Sequence, residues 1–90
     1  MAKLLIPASL QHLTGGKKLI ESEAKDLQTL FKEACRRFPE LEEAVFDRHG
    51  DLPRFVKVSV DGKLVDSLNP KGIRLTPASR VQILVAMAGG

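Results

Sequence analysis

Phe55-Val56-Lys57-Val58-Ser59-Val60-Asp61-Gly62-Lys63-Leu64-Val65 is the stretch on which the fold turns. Val56, Val58 and Val60 alternate with Phe55, Lys57 and Ser59, the period-2 pattern of a strand with one face toward a core. Asp61-Gly62 suits a two-residue hairpin turn, whose central residues need positive φ, so Lys63-Leu64-Val65 is predicted to return alongside. A hairpin cannot stand alone in water, so its valine face needs a partner elsewhere in the chain.

Upstream, the period changes. From Asp26, the residues Leu27, Leu30, Phe31, Ala34, Cys35 and Phe38 fall at helical spacing, leaving Gln28, Lys32, Glu33 and Arg36 for water. Asp26 at the start and Arg36-Arg37 in the last turn suit the helix dipole, and Pro39 discourages continuation. Glu40 to Phe46 is predicted as a second, short helical segment, and His49-Gly50-Asp51 as a loop. Cys35 lies on the apolar stripe, where a thiol acts as a small hydrophobe.

Nearer the N-terminus, Lys3-Leu4-Leu5-Ile6 is predicted as a strand that Pro7 ends or pushes to an edge. Thr14-Gly15-Gly16 supplies a turn into a second strand, Lys17 to Glu21, across a long connection. Downstream of the hairpin, Asn69 to Pro77 is a connecting segment, and Arg80 to Ala86 closes the domain as a strand, with Val81, Ile83 and Val85 alternating against Gln82 and Leu84. One helix and one valine-faced sheet bury each other. The expectation is an α+β roll: a mixed sheet of four to five strands with one main helix across one face, spanning residues 1–86, and a tail at 87–90.

With 90 residues, 43% of them hydrophobic, the chain suits a single core. Its net charge is +3, but only Lys17-Lys18 and Arg36-Arg37 are adjacent basic pairs, and there is no Trp or Tyr for base stacking. Nucleic-acid binding is therefore not expected. One cysteine permits no internal disulfide, and no long apolar run marks a membrane span, so the cytoplasm is the expected compartment.

No side-chain constellation for catalysis stands out. Gly15-Gly16-Lys17-Lys18 lacks the spacing of a phosphate loop, His12 and His49 are far apart with no cysteine near either, and no serine sits in a nucleophile elbow. Glu40, Glu42 and Glu43 suit a solvated helix face. The chain is expected not to be an enzyme and to hold no metal or cofactor.

Attention falls on Gly89-Gly90. Two glycines have no Cβ to block a narrow channel, so Met87-Ala88-Gly89-Gly90, reaching roughly 13 Å when extended, could thread into another protein and expose the Gly90 carboxylate. The same dipeptide also suits ordinary terminal fray. A carboxylate becomes electrophilic once its oxygen is a good leaving group, as in an acyl-adenylate.

These residues resemble the ubiquitin-like sulfur-carrier proteins of the MoaD, ThiS and CysO group, which share the β-grasp fold and a terminal Gly-Gly. The resemblance covers the whole chain. It is closest to the CysO type, through Thr14-Gly15-Gly16, Arg54-Phe55-Val56, and Val81-Gln82-Ile83-Leu84 leading to Ala86-Met87-Ala88-Gly89-Gly90.

The resemblance implies that a MoeB/ThiF-type adenylating enzyme, using ATP and Mg²⁺, charges Gly90. It also implies that the resulting thiocarboxylate donates sulfur to a biosynthetic enzyme. In CysO-like systems the acceptor is an activated serine on a pyridoxal-phosphate-dependent cysteine synthase, and a JAMM-type metalloprotease releases the product. Related carriers serve molybdopterin, thiazole or thio-siderophore synthesis. Some relatives carry residues after Gly-Gly that a protease removes, whereas this sequence stops at Gly90.

The resemblance further implies that a partner grips the sheet face beside the tail. By alternation, Leu5, Leu19, Phe55 and Leu84 point away from the helix-facing core, with Phe55 and Leu84 the expected anchors. The alternative is a scatter of ordinary exposed apolar residues. Two other functions stay open at this point: a protein modifier joined to lysines through Gly90, and a non-covalent interaction module whose tail is incidental.

Overall fold

The computed structural model describes residues 1–48, 52–53, 55–65 and 73–85. Five strands form one sheet: β1 (Ala2–Leu5), β2 (Leu19–Ser22), β3 (Val56–Val60), β4 (Lys63–Val65) and β5 (Arg80–Val85). Their order is β2-β1-β5-β3-β4. Strands β1 and β5 run parallel at the centre, and every other neighbouring pair is antiparallel. Helices α1 (Leu27–Arg37) and α2 (Pro39–Val45) follow β2, and a 3-10 helix (Ala8–Thr14) joins β1 to β2.

Local chemistry sets the boundaries. Asp26 caps α1 by accepting the Thr29 N–H at 2.7 Å, and basic Arg36 and Arg37 occupy the last turn. Pro39 opens α2 at a position where its missing N–H costs nothing, and Phe38, at φ −133° and ψ 83°, breaks the helical path between α1 and α2. Asp61 and Gly62 have φ of 51° and 86°, the left-handed pair that a two-residue hairpin needs. The Asp61 carboxylate and N–H then bind the N–H and C=O of Arg80, each at 2.8 Å, fastening the hairpin turn to the start of β5.

The connection between β1 and β2 is more ordered than the sequence suggests. The 3-10 helix buries Leu10 and Thr14. The Thr14 hydroxyl lies 3.1 Å from Gln11 O and 2.9 Å from Lys17 O, able to donate to either. Gly15 and Gly16, at φ of 65° and 84°, then reverse the chain into β2.

One core lies between sheet and helices. Leu4, Ile20, Val56, Val58, Val81 and Ile83 point into it from the strands, and Leu27, Leu30, Phe31, Ala34, Leu41 and Val45 meet them from the helices. Phe31 and Phe46 meet edge to face, with ring centroids 5.6 Å apart. The segment after the hairpin is stitched to the start of α1: the Leu27 N–H donates to Ile73 O at 3.0 Å, and the Leu75 N–H to Lys25 O at 2.9 Å. These bonds deliver the chain to β5, whose far end leads toward residue 86.

The predicted elements are present with small shifts. The first two strands are Ala2–Leu5 and Leu19–Ser22 rather than 3–6 and 17–21, and Phe55 precedes β3 in a turn in which the Val56 N–H donates to Pro53 O at 3.0 Å. His49-Gly50-Asp51, Arg54, residues 69–72 of the connecting segment and Ala86 lie outside the described residues.

Candidate functional site

Helices cover one face of the sheet, so the other face is the surface available to a partner. Its layout follows from strand register. One row crosses all five strands as Leu19, Leu5, Gln82, Ser59 and Leu64. The next row toward the end of β5 holds Leu84 opposite Lys57, with Phe55 just beyond the start of β3 at the same end. On the other side lies a charged row, Glu21, Lys3 and Arg80.

Exposure sorts the expected patch residues. Phe55 is 45% exposed and Leu84 43%, the highest values among the described large hydrophobics apart from Met1 and Leu64. Leu5 and Leu19 face the same way but are half-buried, because each leans on the other across the β1–β2 ladder. The four side chains thus share one face, with Phe55 and Leu84 prominent at the end from which the chain continues to Gly90.

Sequence reasoning missed Leu64, the most exposed large hydrophobic residue described, at 65%. The signal was present: a two-residue turn at Asp61-Gly62 pairs Leu64 with Ser59, which puts it on the open face. Ser59 itself is buried, with its hydroxyl 3.5 Å from the Gln82 amide oxygen. Beside it, a shallow hollow of about 320 Å³ is lined by Leu5, Ser59, Asp61, Gly62, Arg80 and Gln82. The open face is thus mixed, with Leu19, Leu5 and Leu64 toward its two edges, polar Gln82 and Ser59 in the middle, and a hollow too shallow to enclose a substrate.

Cys35 is half-buried on α1, and its thiol is pushed up to about 11 by burial, with the Glu42 carboxylate adding to the shift. It is protonated at neutral pH and a poor nucleophile. Among the described residues, no group of three or more His, Cys, Asp or Glu side chains could hold a metal ion, and no helix is long and apolar enough to cross a membrane. Met87, Ala88, Gly89 and Gly90 lie outside the described residues.

The ThiS family profile matches residues 4–90, the sheet, both helices and the terminal glycines together. The chain belongs to the ThiS family. Solved structures agree with this membership. A chain of the Amycolatopsis orientalis BexX/CysO complex is 25% identical over 100% of both chains, with a TM-score of 0.81. Mycobacterium tuberculosis CysO is 24% identical, over 97% of this chain and 100% of that one, at 0.80. Sulfolobus solfataricus Urm1, at 11% identity, covers 92% and 97% of the two chains at 0.70. No curated protein matches the sequence significantly.

The fold is therefore a β-grasp, and the protein is a CysO-like member of the ubiquitin-like sulfur-carrier and modifier proteins. Proteins of this ThiS family group are small carriers rather than catalysts.

Proposed function

We propose that this ThiS family member carries sulfur on its C-terminal carboxylate. The observation that supports the reading most is that the family match runs through Gly89 and Gly90. A MoeB/ThiF-type enzyme, with ATP and Mg²⁺, supplies the activation. A Gly90 carboxylate oxygen attacks the α-phosphorus of ATP and pyrophosphate leaves, giving an acyl-adenylate. Hydrosulfide then attacks the acyl carbon, AMP leaves with the C–O electron pair, and a thiocarboxylate remains.

Each group has a separate task. Gly90 provides the carboxylate, Gly89 with Ala88 and Met87 the slender tail, and the open face around Phe55 and Leu84 the grip that holds the tail in the activating enzyme's cleft. The likeness to CysO favours cysteine synthesis as the destination: an activated serine on a pyridoxal-phosphate-dependent synthase as acceptor, and a JAMM-type metalloprotease for release. Molybdopterin, thiazole and thio-siderophore pathways use the same donor chemistry.

Removing Gly90, or replacing it in Gly90→Ala, is expected to leave the circular dichroism spectrum unchanged and to abolish ATP-dependent charging by the cognate activating enzyme. Normal charging of the truncated chain would refute the role assigned to Gly90. A lysine amine attacking the same adenylate would make the protein a modifier; isopeptide adducts that survive thiol treatment and boiling would favour that reading.

A further inference from the structure

Strand β2 ends the sheet, and its register fixes which backbone groups it leaves unused. Leu5 is opposite Leu19, and the Ile6 N–H donates to Lys18 O at 2.9 Å. Bonded and non-bonded pairs alternate along an antiparallel ladder, so Ile20 and Ser22 spend their backbone groups on β1, while the N–H and C=O of Leu19 and Glu21 point out of the sheet. Among the described residues no backbone group takes them up. An open edge of this kind is a template for another strand.

Charge along the edge says which strand fits. Lys17 and Lys18 lead into β2, and Glu21 and Glu23 lie at its other end, all four exposed. Two copies aligned in parallel set lysine near lysine and glutamate near glutamate. Two copies aligned antiparallel about Ile20 set each Lys17 opposite Glu23 of the second copy and each Leu19 opposite Glu21. The same register suits the backbone, because Leu19 and Glu21 both present their groups outward and an opposed pair exchanges both bonds. We propose that β2 is a self-complementary edge through which two copies of this chain join their sheets antiparallel.

The interface is small, and edge lysines oppose other alignments, so the dimer is transient and specific in register. Strand β1 separates the seam from β5. The inference does not depend on the sulfur-carrier reading.

Sedimentation of the full chain over a concentration series up to about 1 mM, a range that reaches weak association, tests the proposal together with amide hydrogen exchange. The expected result is reversible dimerisation in which the Leu19 and Glu21 amides slow as concentration rises. The Leu64 amide, which faces outward on the opposite edge, should not change. Lys17→Glu and Glu23→Lys should each weaken the dimer by about tenfold through loss of the ion pairs and new repulsion, and the double variant should recover most of that loss. A monomer at every concentration would overturn the proposal. So would a dimer without protection at Leu19 and Glu21, or a double variant no tighter than the single ones.

Discussion

The Asp26 carboxylate accepts the Thr29 N–H at the start of α1, and that hydrogen bond, made to the charged form, lowers its pKa below the ordinary 3.8. The stabilisation is therefore complete above that value and disappears as pH falls through the lowered native pKa. Asn caps a helix comparably but does not titrate. The advantage of the natural chain over Asp26→Asn in urea unfolding should hold at pH 7 and shrink at pH 3; parallel profiles would contradict it. Cys35 titrates the other way. With its thiol raised to about 11, labelling by a disulfide reagent should be slow at pH 7 and accelerate about tenfold per pH unit toward that value, in step with the thiolate fraction. Fast labelling at neutral pH would show that the α1–α2 packing around it is looser than described. The cap and the apolar place of Cys35 were both legible in sequence. The remoteness of its pKa was not, since it depends first on how far the packing buries the thiol and then on Glu42 from the next helix.

At the scale of elements, the hairpin and α1 could be read because each carries its own period and its own stop. Asp61-Gly62 fixed a turn type, the turn type fixed register, and register put Leu64 on the open face. That last step needs the pairing rather than the alternation alone. The 3-10 helix at Ala8–Thr14 was illegible, because Ala8-Ser9-Leu10-Gln11-His12 shows neither helical nor strand period and its order comes from burying Leu10 and Thr14. The candidate docking surface was largely legible: alternation gave the face and singled out Phe55 and Leu84 as anchors, while the half-burial of Leu5 and Leu19 came from their position in the sheet. Phe55→Ser with Leu84→Ser should leave the thermal midpoint nearly unchanged, since both side chains are already exposed. The pair should weaken binding to the activating enzyme by tenfold or more, about 1.4 kcal/mol or above. Unchanged affinity would remove this face from recognition.

At the scale of the whole molecule, the first and last strands lie side by side at the sheet centre, and helices cover the opposite face. This arrangement pairs the first half of β5 with both β1 and β3 and its last residues, as far as Val85, with β3 alone, while Phe55 and Leu84 stand exposed at that same end. On the proposed function this division has a use: the core gives rigidity, the open face is the proposed recognition surface, and the chemistry is assigned to the Gly90 carboxylate. ThiS family membership is consistent with that division, and the account's central claim is that Gly90 becomes a thiocarboxylate. Intact-mass spectrometry after incubation with the cognate activating enzyme, ATP, Mg²⁺ and sulfide tests it directly. The account predicts an ATP-dependent gain equal to one sulfur replacing one oxygen, confined by fragmentation to Gly90; an unchanged mass with an activating enzyme that charges another carrier would contradict it.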